Sequence, residues 1–168
     1  MRGAGALRRP AAPERDAAPA GRILLASEGR AIPPEAVDLA ARLAQEQGVG
    51  VHVFSVVRVW GSGFGFPNPG LMPNKREWAA QRDVVANAVE RLRKRGIEAT
   101  AQVLATRKAT KRIVREASRL DSSAIVMGAD PARNRFLADM MWSQEPHRVK
   151  RRAKIPVHLV PDGGASVR

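Results

Sequence analysis

The sequence predicts an α/β protein, a parallel sheet with helices on both faces. Strand-like and helix-like segments alternate along most of its 168 residues, which is the pattern of helices crossing over a parallel sheet. The first strand-like run, RILLAS, is continuously apolar rather than alternating, as befits a strand covered on both faces. Proline and glycine stand where helices should start and stop.

Residues 22–27 form the first predicted strand. In IPPEAVDLAARLAQEQG, Pro33 and Pro34 suit a helix's first turn, Glu35 complements its dipole, and Gly48 ends it. Residues 49–57 read as a β-branched strand, followed by a long loop over residues 58–74. The next helix carries Trp78, Val85, Val89 and Leu92 on one stripe and ends with Arg93, Lys94 and Arg95 before Gly96. Residues 97–105 alternate and read as a strand. TRKATKRIVREASRL is predicted as a helix capped by Thr106, with Ala109, Ile113, Ala117 and Leu120 facing inward. Residues 123–128 are a strand, SQEPHRVKRRA a helix, and residues 156–160 the last strand.

In open parallel sheets, ligands bind beyond the carboxyl ends of the strands, where the strand order reverses. That rule places residues 27–30, 57–61, 106–108 and 128–135 on one rim. The stretch AIVMGADPARNRFLADMMWSQEPHRV runs strand, glycine, basic loop and helix start, which are the parts of a phosphate site.

Composition bounds the rest. The chain suits one core, and the domain is expected over residues 22–161. Cysteine is absent, which excludes disulfides and thiolate chemistry. No apolar run approaches the ~20 residues of a membrane span. Residues 1–21 are Ala, Pro, Arg and Gly, with Leu7 the only large aliphatic side chain after Met1; they are expected to be a disordered basic arm, and residues 162–168 a flexible tail. The arm lacks the apolar stretch of a secretory signal, and Glu14 and Asp16 count against a transit peptide. The formal charge of +13 favours encounters with polyanions.

Several pieces, taken in order, resemble the universal stress protein family: ILLASEG, AVDLAARLA, VHVFSVV, ATKRIVREASRLDSSAIVMGAD and RVKRRAKIPVHLV. The likeness runs from residue 22 to 161. It implies five parallel strands in the order 3-2-1-4-5 and a homodimer formed through the last strand, residues Val157, His158, Leu159 and Val160. In one branch it implies an ATP site marked by Gly-x2-Gly-x9-Gly-Ser/Thr after the fourth strand. Gly128 matches the first glycine. The second falls on Pro131, which has no N–H to offer a phosphate. A strict count puts the final pair on Met141 and Trp142; aligned from the last helix it falls on Ser143 and Gln144. Neither restores the motif. The acidic residue expected at the first strand's end corresponds to Glu28, followed by Gly29.

The residues expected around a ligand are therefore Ala26, Ser27, Glu28, Gly29, Val57, Gly128, Asp130, Arg133, Ser143 and Gln144. Glu28 is assigned to ribose or base polar groups, Gly128 to close backbone approach, and Arg133 with Ser143 to an anion. Arg107, Lys108 and Arg135 are further anion candidates. The cofactor implied is ATP or another adenine nucleotide, bound weakly, or none.

Gly61 and Gly63 superficially match a dinucleotide fingerprint, but the third glycine would be Phe66, and Pro67 and Pro69 forbid the helix it needs. The segment reads instead as a flap carrying Trp60, Phe64 and Phe66. Arg107, Lys111, Arg115 and Arg119 recur every fourth residue, with Lys108 and Arg112 beside them: a solvated face, or a polyanion site. Cations at a helix N-terminus oppose its dipole, a penalty that an anion on the rim would relieve. His52, His147 and His158 have no metal-ligand spacing, and no nucleophile–base pair emerges. The expectation is a cytoplasmic, non-catalytic, universal-stress-like regulatory or ligand-sensing module without membrane attachment. Its alternative is a basic protein binding nucleic acid or another polyanion without sequence specificity.

Overall fold

The computed structural model of the chain describes residues 21–59, 72–129 and 144–161. The arm before Gly21, the flap residues Trp60, Phe64 and Phe66, the segment holding Asp130, Arg133, Arg135 and Ser143, and the final tail lie outside them. Gly21 itself, assigned to the arm from sequence, belongs to the fold, because its N–H donates to the Leu120 carbonyl at 3.2 Å.

Five strands and four helices alternate: β1 (Ile23–Ser27), α1 (Pro34–Gln47), β2 (Val51–Arg58), α2 (Lys75–Lys94), β3 (Ala99–Thr106), α3 (Ala109–Arg119), β4 (Ala124–Ala129), α4 (Glu145–Arg152) and β5 (Val157–Pro161). The strands form one sheet in the order β3-β2-β1-β4-β5, every pair parallel. Both the fold class and the strand order are as expected. The order reverses between β1 and β4, so the carboxyl ends of those two strands define the switch point.

The central position of β1 explains its composition. Ile23 and Leu25 pack with α1 and α2, while Leu24 and Ala26 pack with α3 and α4, so no position of the strand meets water. β2 divides likewise, Val51 and Val53 to one side, Phe54 and Val56 to the other. β3 and β5 stand at the edges and are half-exposed over most of their length.

The helices follow from their sequences. Pro33 is the N-cap of α1 and Pro34 its first residue, while Gly48 ends it at φ 65°, a left-handed turn that glycine adopts without steric cost. A capping box between Asn74 and Glu77 opens α2. Val85, Ala88, Val89 and Leu92 are its buried positions; Trp78, expected on that stripe, is half-exposed with the Arg82 guanidinium 5.6 Å from its ring centroid. In α3 all four predicted inward residues are buried. Thr106 is not its cap: the helix starts at Ala109 with Lys108 in the N-cap position, and the Thr106 hydroxyl instead accepts from the Lys108 N–H at 3.0 Å, closing the turn out of β3.

At the amino edge, opposite the rim, the buried Arg22 guanidinium ion-pairs with Glu98 and donates to Thr100 at 3.1 Å. The imidazole of His52 lies beside it, with Nδ1 2.8 Å from Thr100 Oγ1 and Nε2 3.5 Å from Glu116 Oε1. Burial lowers the His52 pKa to about 4; Glu116 opposes the shift, and Arg119 and Arg22 add to it.

Two predictions follow from this packing. Phe54 is fully buried, so Phe54→Ala is expected to lower unfolding stability by about 3–5 kcal/mol in urea titrations. His52 is held below its unfolded value of 6.5, so the unfolded chain takes up a proton that the fold refuses. Its contribution is whole above pH 6.5 and is lost as the pH falls toward 4. Unfolding measured across that window should show a drop in wild type that exceeds the drop in His52→Gln by about 1–3 kcal/mol.

Candidate functional site

The carboxyl ends of β1, β2 and β4 meet the start of α3 and the start of α4, and the charged groups of this rim form one connected cluster. Its centre is Glu145, the first residue of α4, which is buried. One carboxylate oxygen, Oε2, accepts the Thr110 backbone N–H at 3.1 Å and also the Thr110 hydroxyl. The other, Oε1, lies 3.0 Å from Arg148 Nη1 and 3.9 Å from Arg58 Nη2. A single side chain from α4 thus joins β2 to the start of α3.

The chemistry of α3 explains why the carboxylate sits there. The first N–H groups of a helix lack partners within it, and Lys108, in the N-cap position, makes no side-chain cap. Glu145 caps the helix from its neighbour, and its negative charge complements the dipole that Arg107 and Lys108, both exposed, oppose. The anion expected to relieve that opposition is provided by the chain itself.

Glu28 leaves the end of β1 and is also buried; it forms an ion pair with Arg30. Burial raises its pKa, while Arg30 and more weakly Arg58 pull the other way. Burial likewise disfavours the charge of Arg58, which the carboxylates of Glu145 and Glu28 support. An arginine remains protonated in such surroundings, so the rim holds two buried carboxylates and a guanidinium between them.

Most of the predicted ligand residues are accounted for. Ala26 is in the core between β1 and the α3 side. Ser27 Oγ is spent on the turn, donating to the Arg30 carbonyl at 2.5 Å and accepting from the Gly29 N–H at 3.2 Å. Gly29 has φ 112°, a conformation that favours glycine, and its carbonyl accepts from Gln81 Nε2 at 2.7 Å. Val57 is buried at the end of β2. Gln144 is exposed in the N-cap position of α4, where its side-chain oxygen accepts from Arg148 at 3.2 Å. α4 therefore begins one residue later than a Ser143 cap would place it, and Ser143, Asp130, Arg133 and Arg135 lie outside the described residues.

Gly128 does permit a close approach, but the group that makes it is Pro33. A Cβ at residue 128 would stand 2.8 Å from both Cγ and Cδ of that ring. The turn before α1 is thereby pressed onto β4 across the switch point.

Sequence reasoning placed Arg30 and Arg58 in rim segments without assigning them roles, and it passed over Thr110 and Glu145 entirely. A signal for Glu145 existed in its first-turn position, but its partner across 35 residues is fixed only by the packing of α3 on α4.

A hollow of about 170 Å³ opens on the rim between Gly29, Val57, Arg58, Glu77 and Gln81. A larger one, about 460 Å³, lies at the amino edge among Arg22, Gly48, Gly50 and Gly96. The rim remains the better candidate despite its size, because the starts of α3 and α4 converge there with the buried carboxylates of Glu28 and Glu145, whereas the amino edge receives the carboxyl ends of α1 and α2. Among the described residues no cluster of His, Cys, Asp or Glu could hold a metal ion, and no helix is long and apolar enough to cross a membrane.

Gly128→Ala is expected to destabilise the protein by about 1–3 kcal/mol through overpacking. Pro33→Ala in the same chain should recover much of that loss, a coupling that a double-mutant cycle in urea would measure.

Compared with known proteins, the chain matches the family model described as the universal stress protein family over residues 20–161. No curated protein sequence matches it significantly. Its fold is similar to that of a universal stress protein from Archaeoglobus fulgidus in complex with dAMP, with a TM-score of 0.61 and 23% identity over 83% of this chain and 96% of that one. It is also similar to a universal stress protein family member from Burkholderia pseudomallei, with a TM-score of 0.60 and 23% identity over 83% and 95% of the two chains. A universal stress protein in complex with cAMP gives a TM-score of 0.56 at 18% identity, over 85% and 98%. At these identities the likeness is one of fold.

Proposed function

The chain belongs to the universal stress protein family, and from that premise we propose a non-catalytic ligand-sensing module whose carboxyl rim takes an adenine nucleotide only weakly. Proteins of the same fold in complex with dAMP and cAMP support the ligand class. The observation that carries the weakness is Glu145. Its carboxylate already occupies the start of α3 beside Arg58 and Arg148, where a nucleotide phosphate would find its donors. An incoming phosphate must displace that carboxylate or accept its repulsion. Pro131, in place of the family's second glycine, removes a further N–H.

On this reading Glu28 meets the ribose or base, Arg133 and Ser143 meet the phosphates, and the module signals through occupancy rather than turnover. It works in the cytoplasm as a homodimer joined along β5, which among the described residues is an edge strand of the sheet. Half-exposed Val157, His158, Leu159 and Val160 support that pairing.

Calorimetry with ATP, dAMP and cAMP tests the proposal. Wild type is expected to bind with a Kd on the order of 1 mM. Glu145→Gln removes the competing charge but keeps a side-chain oxygen for Thr110, and is expected to bind about tenfold or more tightly. Micromolar binding by wild type, no binding by either protein, or release of phosphate from ATP would each overturn it.

A further inference from the structure

The four helices divide their charge unevenly between the two faces of the sheet. α1 and α2, on one face, carry seven cations against six carboxylates. α3 and α4, packed together on the other, carry eight cations against two carboxylates. Those two are Glu116 and Glu145, both buried and both turned to partners within the fold. What reaches solvent on this face is therefore almost wholly basic: Lys111, Arg115 and Arg119 from α3, and Lys150, Arg151 and Arg152 from α4, all exposed. Arg107 and Lys108 extend it at the rim, and Lys154 extends it at the other end.

We propose that the α3/α4 face docks on the phosphate backbone of double-stranded nucleic acid, without reading sequence. Lys111, Arg115 and Arg119 of α3 are four residues apart, hence about 6 Å apart along the helix direction. That is a rigid row of donors facing a polymer that carries one negative charge per roughly 1.7 Å of its axis. Arginine predominates in the patch, and its guanidinium forms paired hydrogen bonds with phosphate oxygens. Neither helix carries an aromatic side chain to stack on unpaired bases.

The same face is ill suited to the other polyanionic surfaces. Ile113, Ala117 and Val149, the apolar side of the two helices, are buried against the sheet. Val114, Ala153 and Ile155 are half-buried along a hollow that Asp121, Arg152 and Lys154 also line, and among the described residues no large apolar side chain stands exposed on this face to insert among lipid chains, as a membrane-surface helix requires.

The test uses the full chain and a labelled DNA duplex of arbitrary sequence, with affinity read by fluorescence anisotropy from about 50 to 200 mM salt. A face variant carries Lys111→Gln, Arg115→Gln, Lys150→Gln and Arg151→Gln; a control carries Arg42→Gln, Lys75→Gln, Arg76→Gln and Arg91→Gln. All eight residues are exposed, and each set removes the same charge while leaving the rim cluster and the basic arm unchanged. Wild type and control are expected to bind alike, with affinities that fall steeply with salt. The face variant should lose about 3 from the slope of log K against log salt and bind at least tenfold more weakly at the lowest salt. Equal weakening in both variants would mean diffuse attraction by net charge and would overturn the proposal. So would absence of binding by wild type, or capture by phosphatidylserine vesicles at a salt concentration where the duplex is not bound.

Discussion

The carboxylate of Glu145 is the group on which the organisation of the rim depends. It reaches the start of α3, which has no cap of its own, and does so while bringing its negative charge between Arg58 and Arg148. A half-buried guanidinium gains from a nearby counter-charge, and a helix start without an acceptor leaves N–H groups unsatisfied. One side chain meets both needs, and so fixes α3, α4 and the end of β2 relative to one another. Glu28 and Arg30 hold the adjoining turn in the same way.

The switch point between β1 and β4 is closed by packing as well as by charge. The ring of Pro33 lies where a side chain on residue 128 would have to go, and Ser27 turns its hydroxyl back onto the loop it ends. A site assembled for phosphate needs donors that are preorganised and not otherwise engaged. Here several of the groups that occupy the family's ligand edge are engaged with one another. The fold thus retains the edge while much of its polar capacity is satisfied internally.

The charge balance has a structural logic of its own. An excess of +13 spread evenly would oppose compaction through self-repulsion. The fold instead alternates signs along α1 and α2 and gathers cations on α3 and α4. Where cations lie in last turns, as in α2 and α4, they also complement the helix dipole. At the start of α3 they do not, and there a buried glutamate from the adjacent helix balances them.

Sequence by itself determined the architecture. The continuous apolar run of β1, the stripes of α2 and α3, and the proline and glycine at the ends of α1 are local patterns whose period states which side is buried. Alternation of such segments admits little besides a parallel sheet. The strand order came from the resemblance of the ordered pieces, while the edge where a ligand would sit followed from the rule that parallel sheets bind at the carboxyl ends of their strands. Errors of detail were local as well: Thr106 has the chemistry of a cap, but the chain uses it one turn early, and Trp78 has the spacing of a core residue but meets Arg82 instead. What only the tertiary structure decided is who partners whom at the rim. Thr110 and Glu145, or Pro33 and Gly128, are far apart along the chain, and no period or motif marks them as partners. Their pairing arises when the sheet sets two helices and a turn side by side, because unsatisfied donors and buried charges then take the nearest complement that geometry supplies.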